Sequence, residues 1–322
     1  MHQRKFPQTA ALLVVTAALF GCGTPGTQTA PPLTPTPAST LVPRPSATPI
    51  PQVLLIADGP VAWEGDLNRW VADRGWQLEI ADPATASTRL QESAQVVAVV
   101  SAQERLAGDL LQAAGEGIAV VLIDFPGVDP GPSLSTIGNG KYDQAGFLAG
   151  VTIGLASQTG WVGQVTATGG PDETDYSAGF AQGLLWSCPI CELVSQTAAD
   201  MTPDAFRAKG VDVVFPLPGP AAEEAIGELE AGAIPMVWVG AGGPSAEVLI
   251  GRVIFEAGPL VVPALEALLG GGEGTAWPYS IESRTILIVD INVDLLSPGR
   301  QRLLDQAYEA IAAGELDIGT QE

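Results

Sequence analysis

Two α/β lobes, each a doubly wound parallel sheet, are predicted for residues 53–322 from three features of the sequence. Apolar runs rich in Val, Ile and Leu recur at 53–57, 77–81, 95–100, 118–125, 161–167, 211–215, 234–239 and 285–291. Unbroken runs of this kind mark strands buried on both faces, as in a parallel sheet covered by helices. Amphipathic stretches at 67–73, 102–114, 145–157, 176–186, 221–231 and 300–313 alternate with them. That alternation is the rhythm of doubly wound sheets with right-handed crossovers. So many strands over about 270 residues suit two sheets better than one.

The chain opens differently. His2, Arg4 and Lys5 precede an apolar run over 10–20, which has the length of a signal-peptide core and is too short for a permanent span. The run ends in Leu19-Phe20-Gly21-Cys22, which resembles the lipobox of bacterial lipoproteins, where the Cys is acylated and becomes the mature N-terminus. Phe20 is bulkier than the residue usual there, and an ordinary secretory signal with an incidental Cys is the alternative. Residues 1–21 are thus expected to be a leader and Cys22 a lipidation site. The Pro/Thr-rich stretch over 22–52 is expected to act as an extended spacer holding the body off the outer face of the cell membrane.

Composition excludes several function classes. The whole chain carries 14 Lys+Arg against 36 Asp+Glu; without residues 1–21 it carries 12 against 36, a net of −24. Phosphate backbones and anionic head groups repel such a body, so nucleic acid is not expected as a partner and the lipid is the expected membrane contact. The single histidine, His2, lies in the leader. Its loss removes Ser-His-Asp and Cys-His catalysis, His-ligated zinc and His acid–base work. The expectation is a monomeric, non-enzymatic binding protein with no catalytic residue, metal or cofactor.

Turn-formers follow several strands: Asp58-Gly59-Pro60, Asp124-Phe125-Pro126-Gly127, Thr168-Gly169-Gly170-Pro171 and Pro216-Leu217-Pro218-Gly219. Open α/β sheets bind ligands beyond the carboxyl ends of their strands, where these loops fall. The candidate ligand residues are therefore Asp58, Trp63, Asp124, Phe125, Tyr142, Thr168, Asp172, Tyr176, Pro216, Gly240 and Ala241. Trp63, Phe125, Tyr142 and Tyr176 offer rings for a flat ligand, or simply pack an interface. Asp58, Asp124 and Asp172 offer carboxylates for a hydroxyl or amine, or serve as caps and turn-formers.

Cys188-Pro189-Ile190-Cys191 has the spacing of a redox motif. It follows a helix instead of opening one, so the thiol lacks the helix dipole that would activate it. In an exported chain a structural disulfide is the expected state, with a free thiol pair as the alternative.

From 139 to 240 the chain resembles the basic membrane lipoprotein family of type I periplasmic binding proteins. The resemblance rests on Gln144-Ala145-Gly146-Phe147-Leu148-Ala149-Gly150, Thr159-Gly160-Trp161-Val162-Gly163, Thr168-Gly169-Gly170, Tyr176-Ser177-Ala178-Gly179-Phe180-Ala181-Gln182-Gly183 and Lys209-Gly210-Val211-Asp212-Val213-Val214-Phe215. Tyr308-Glu309-Ala310-Ile311-Ala312-Ala313-Gly314 is similar to the family's closing helix. The resemblance implies lobes of the type I periplasmic binding protein kind joined by three hinge crossings, near 139–141, 239–243 and 275–283. Lobe I would then comprise 53–139 and 241–278, and lobe II 140–240 and 279–322. It also implies capture of a small molecule and delivery to an ABC permease.

The family's purine-nucleoside groups are largely missing. Its Ser-Phe-Asn loop is replaced by Asp58-Gly59-Pro60, and its ribose-binding carboxylate by Gly240-Ala241-Gly242. Its lysine falls near Ile254, with Arg252 the nearby cation, and its second-lobe phenylalanine falls near Ala198. A buried sugar hydroxyl left unpaired costs about 1–3 kcal/mol. The sequence therefore points to a solute other than a nucleoside, or to a sensing or protein-interaction module that keeps the fold without tight solute capture.

Overall fold

The computed structural model describes residues 50–92, 96–101, 104–166 and 172–318. In chain order the first part comprises β1 (Gln52–Ile56), α1 (Glu64–Asp73), β2 (Gln77–Ala81), α2 (Ala86–Glu92), β3 (Val96–Ser101), α3 (Ala107–Gly115), β4 (Val120–Ile123) and β5 (Leu134–Ile137). There follow α4 (Tyr142–Ala156), β6 (Trp161–Thr166), α5 (Glu173–Ser187), β7 (Glu192–Thr197), α6 (Pro203–Ala208), β8 (Val213–Pro216), α7 (Pro220–Ala231), β9 (Met236–Val239) and β10 (Leu249–Phe255). The chain closes with α8 (Gly258–Leu269), β11 (Ala276–Trp277), β12 (Ile286–Val289) and α9 (Pro298–Ala312).

The strands form two six-stranded sheets, ordered β11-β5-β4-β3-β1-β2 and β12-β10-β9-β8-β6-β7. Every pairing between named strands is parallel except β10–β12, so this is the two-lobed α/β architecture expected from the sequence. Buried strands alternate their side chains between two helical covers. In β1, Val53 and Leu55 join Leu67, Trp70 and Val71 of α1, whereas Leu54 and Ile56 join Leu90, Leu106 and Leu110.

Lobe II is built around α4, which is buried on almost every side. Glycines set its distance from α5. A Cβ on Gly146 would strike the carbonyl oxygen of Tyr176, and one on Gly150 that of Phe180. From the other helix, Gly179 faces the Asp143 carbonyl and Gly183 the Phe147 carbonyl. Glycine at all four positions lets the two backbones touch. At the end of α5 the Cys188 and Cys191 sulfurs are bonded.

Three segments pass between the sheets, at 138–141, 256–257 and 278–285. The return crossing expected at 239–243 lies later, because β10 pairs β9 in parallel and keeps Leu249–Phe255 in the second sheet. Gly240 and Ala241 are therefore a strand-end loop of lobe II and not a hinge. The crossings hydrogen-bond one another: Lys141 N donates to Tyr279 O (2.9 Å) and Glu256 N to Thr285 O (2.8 Å).

Among the described residues no helix is long and apolar enough to cross a membrane. Cys22 lies outside the described residues.

Candidate functional site

The carboxyl ends of the parallel strands in both sheets point toward the crossings, and the polar and aromatic groups gather there. On lobe I, β4 ends at Asp124, which takes φ 58°, a left-handed conformation that aspartate tolerates better than most residues. Its amide donates to Ile137 O at 2.8 Å, so the end of β4 is locked to the neighbouring strand. The Tyr279 hydroxyl, carried by the third crossing, donates to Asp124 Oδ1 at 2.9 Å. Partial desolvation at the strand end holds the Asp124 carboxyl above the usual aspartate range, and the Tyr279 bond partly offsets it.

Four rings continue from that bond. Phe255, the last residue of β10, lies 5.4 Å from Tyr279. Tyr142, the first residue of α4, meets Phe255 edge to face at 6.0 Å with planes 82° apart. Tyr176 of α5 lies beneath Tyr142 at 5.1 Å. Gly140 makes room for the group, since a Cβ there would press on the Phe255 ring and on Tyr279 Cβ. Burial drives the hydroxyls of Tyr176 and Tyr279 far up, and neighbouring carboxylates add to it: Asp172 at Tyr176, Asp124 and Glu256 at Tyr279. Tyr142 is shifted the same way by burial, then by Asp172 and Asp124.

Of the expected ligand residues, Asp124, Tyr142, Asp172 and Tyr176 are thus drawn into one group. Asp172 occupies the N-cap position of α5 but makes no side-chain bond to the helix amides. Tyr176 is 6 % exposed and backs the group more than it lines it. Phe125 packs into the lobe I core with Leu90 and Leu110. Trp63 is buried against Gly258 and lines a cavity of ≈ 430 Å³ with Asp66, Glu256 and Pro259. Asp58 is exposed beyond β1, Pro216 is buried, and Gly240 and Ala241 lie at the end of β9. Thr168 lies outside the described residues. Arg252 is spent on Asp290 (3.0 Å) and the Gly240 carbonyl (3.4 Å).

Phe255, Glu256 and Tyr279 were not among the expected residues. Placing the return crossing at 239–243 hid the first two, because residues 249–255 then had no strand. Tyr279 lies on the third crossing, just after Trp277 ends β11, and no turn or apolar signal in the residue order marks its ring as facing the strand ends.

Beside this group the first and third crossings are clamped together. Lys141 Nζ donates to Glu282 Oε1 (2.8 Å), and Gln144 Nε2 donates to both Glu282 oxygens (3.0 and 2.9 Å). The 4 % exposed Gln144 also accepts from Ile281 N at 2.7 Å. Desolvation pushes the Glu282 carboxyl up, but the bonds from Lys141 and Gln144 outweigh it and hold it down at about 2.

Solved structures with this architecture include an ABC transporter solute-binding protein from Conexibacter woesei DSM 14684, at 18% identity and a TM-score of 0.60, covering 83% of this chain and 98% of that one. A transcriptional activator of the comK gene from Bacillus halodurans is similar at 11% identity and TM-score 0.57, over 83% and 99% of the two chains. An ABC transporter solute-binding protein from Aeropyrum pernix K1 is similar at 14% identity and TM-score 0.53, over 85% and 94%. No family model matches the sequence, and no curated protein matches it. At these identities the likeness establishes the fold, which is that of the type I periplasmic binding proteins.

Proposed function

We propose that this chain is an extracytoplasmic solute-binding lipoprotein, anchored through Cys22, that captures a small molecule between its lobes and presents it to an ABC permease. The observation that carries this reading is the convergence of Asp124, Tyr142, Asp172 and Phe255, from both lobes, on the strand-end face beside three hydrogen-bonded crossings. Loops beyond parallel strands of two hinged sheets can close on a solute and release it. Two of the similar structures are ABC transporter solute-binding proteins, which supports the same role. Kinship with the basic membrane lipoprotein family belongs to this proposal as well. The solute differs from that family's nucleosides, because Gly240-Ala241-Gly242 brings no carboxylate to a ribose.

The second reading, a sensing or interaction module, draws on the similar comK activator. Native mass spectrometry of the chain purified from its own cell envelope separates the two. The first reading expects a small-molecule mass riding on the polypeptide; a bare polypeptide throughout, with a protein partner retained instead, favours the second.

A further inference from the structure

We infer that the strand-end face selects an organic cation, an amine or a quaternary ammonium, which Tyr142, Phe255 and the Asp124 carboxylate recognise together. This rests on the reading of that face as a solute site and adds the charge of the solute.

The rings supply the first argument. Tyr142 and Phe255 are only half-buried, and their planes stand 82° apart as two walls of a corner. Tyr176 and Tyr279 hold those walls from behind, at 5.1 Å from Tyr142 and 5.4 Å from Phe255 respectively. Aromatic faces carry negative potential and attract a cation placed over them.

The charges supply the second. Asp124 is exposed on this face, and the Tyr279 bond engages its Oδ1 while leaving Oδ2 outside that bond. Asp172 spends no side-chain bond on capping α5. The charged groups whose fields act on Tyr142, Tyr176 and Tyr279 are Asp124, Asp172 and Glu256, all acidic. Among the described residues the nearby cations are committed elsewhere, Lys141 to Glu282 and Arg252 to Asp290. Arg105, in the turn after β3, is exposed and acts on none of these tyrosines.

An anionic solute would meet only repulsion on this face. A neutral polyol would use the carboxylates but gain nothing from the potential of the rings. A weakly hydrated cation uses both, and the net charge of −24 on the mature chain would steer it inward.

The test is titration calorimetry on the mature chain made without its leader and lipid, residues 23–322, together with native mass spectrometry of the solute it carries. The probes are choline, tyramine and putrescine, with 3,3-dimethylbutan-1-ol as the uncharged counterpart of choline. At least one cation should bind, with Kd tighter than about 1 mM, and choline should exceed its uncharged counterpart by about tenfold. Asp124→Asn and Tyr142→Ala should each weaken the bound cation by about tenfold, while Tyr142→Phe, which keeps the ring, should not. Equal binding of choline and its counterpart overturns the inference. So does a carried solute that proves neutral or anionic, in which case solute capture itself still stands. If no probe binds and no solute is carried, both readings fall together.

Discussion

The Tyr279 hydroxyl lies 2.9 Å from Asp124 Oδ1, so the third crossing is tied to the end of an inner strand of lobe I. Because β12 and α9 follow that crossing into lobe II, this bond links a hinge segment to a strand-end loop of lobe I. Tyr279→Phe should destabilise the fold by about 1 kcal/mol, a typical net value for such a bond. It should also move the Asp124 carboxyl further above 3.8, since the hydroxyl is what partly offsets its desolvation. Carboxyl-detected NMR titration measures this directly. An Asp124 that titrates lower in the variant would contradict the assignment.

The clamp at Glu282 has the opposite pH signature. Its folded pKa of about 2 lies below the ordinary glutamate value of 4.5, so its stabilisation is present above 4.5 and is lost as pH falls through about 2. Glu282→Gln should therefore lower stability at neutral pH and flatten the acid side of the stability curve between those two values. Urea unfolding followed by tryptophan fluorescence at a series of pH values checks it. Parallel curves for the two proteins would mean that the clamp contributes nothing.

The α4–α5 contact makes a prediction about steric space. Gly179→Ala would drive a methyl group into the Asp143 carbonyl, and overpacking of this kind costs about 1–3 kcal/mol or more. Gly227→Ala on α7, where nothing lies within 4 Å, should instead gain up to about 1 kcal/mol from helix propensity. Denaturant midpoints of the two variants should move in opposite directions.

How much of this was legible in the residues follows from the same physics. β1, β4 and β9 are buried on both faces and read as unbroken apolar runs. β7, at a sheet edge, reads Glu-Leu-Val-Ser-Gln-Thr, and β10 carries Gly251 and Arg252 within it, so neither shows a clean run. Without a clean run at β10, the residue order places the return crossing too early and leaves Phe255 and Glu256 outside the expected site. Asp124, Tyr142, Asp172 and Tyr176 were accessible because strand-end loops are where this architecture gathers polar groups. That Phe125 faces the core while its neighbour Asp124 faces the lobes depends on the left-handed turn at Asp124, and nothing in the residue order reveals it.

The proposed anchor rests on Leu19-Phe20-Gly21-Cys22. Cys22→Ala should release the protein from membranes into the soluble fraction. A variant that stays with the membrane after a high-salt wash would show that something other than a lipid holds it.

Capture between hinged lobes is the central claim, and small-angle scattering tests it most directly. A solute that touches both lobes favours the closed state by its differential affinity for that state alone. The mature chain stripped of its solute should show a larger radius of gyration than the same chain saturated with the solute recovered from native purification, and Asp124→Asn should need about tenfold more solute for the same compaction. An unchanged radius with the solute demonstrably bound would contradict capture between the lobes.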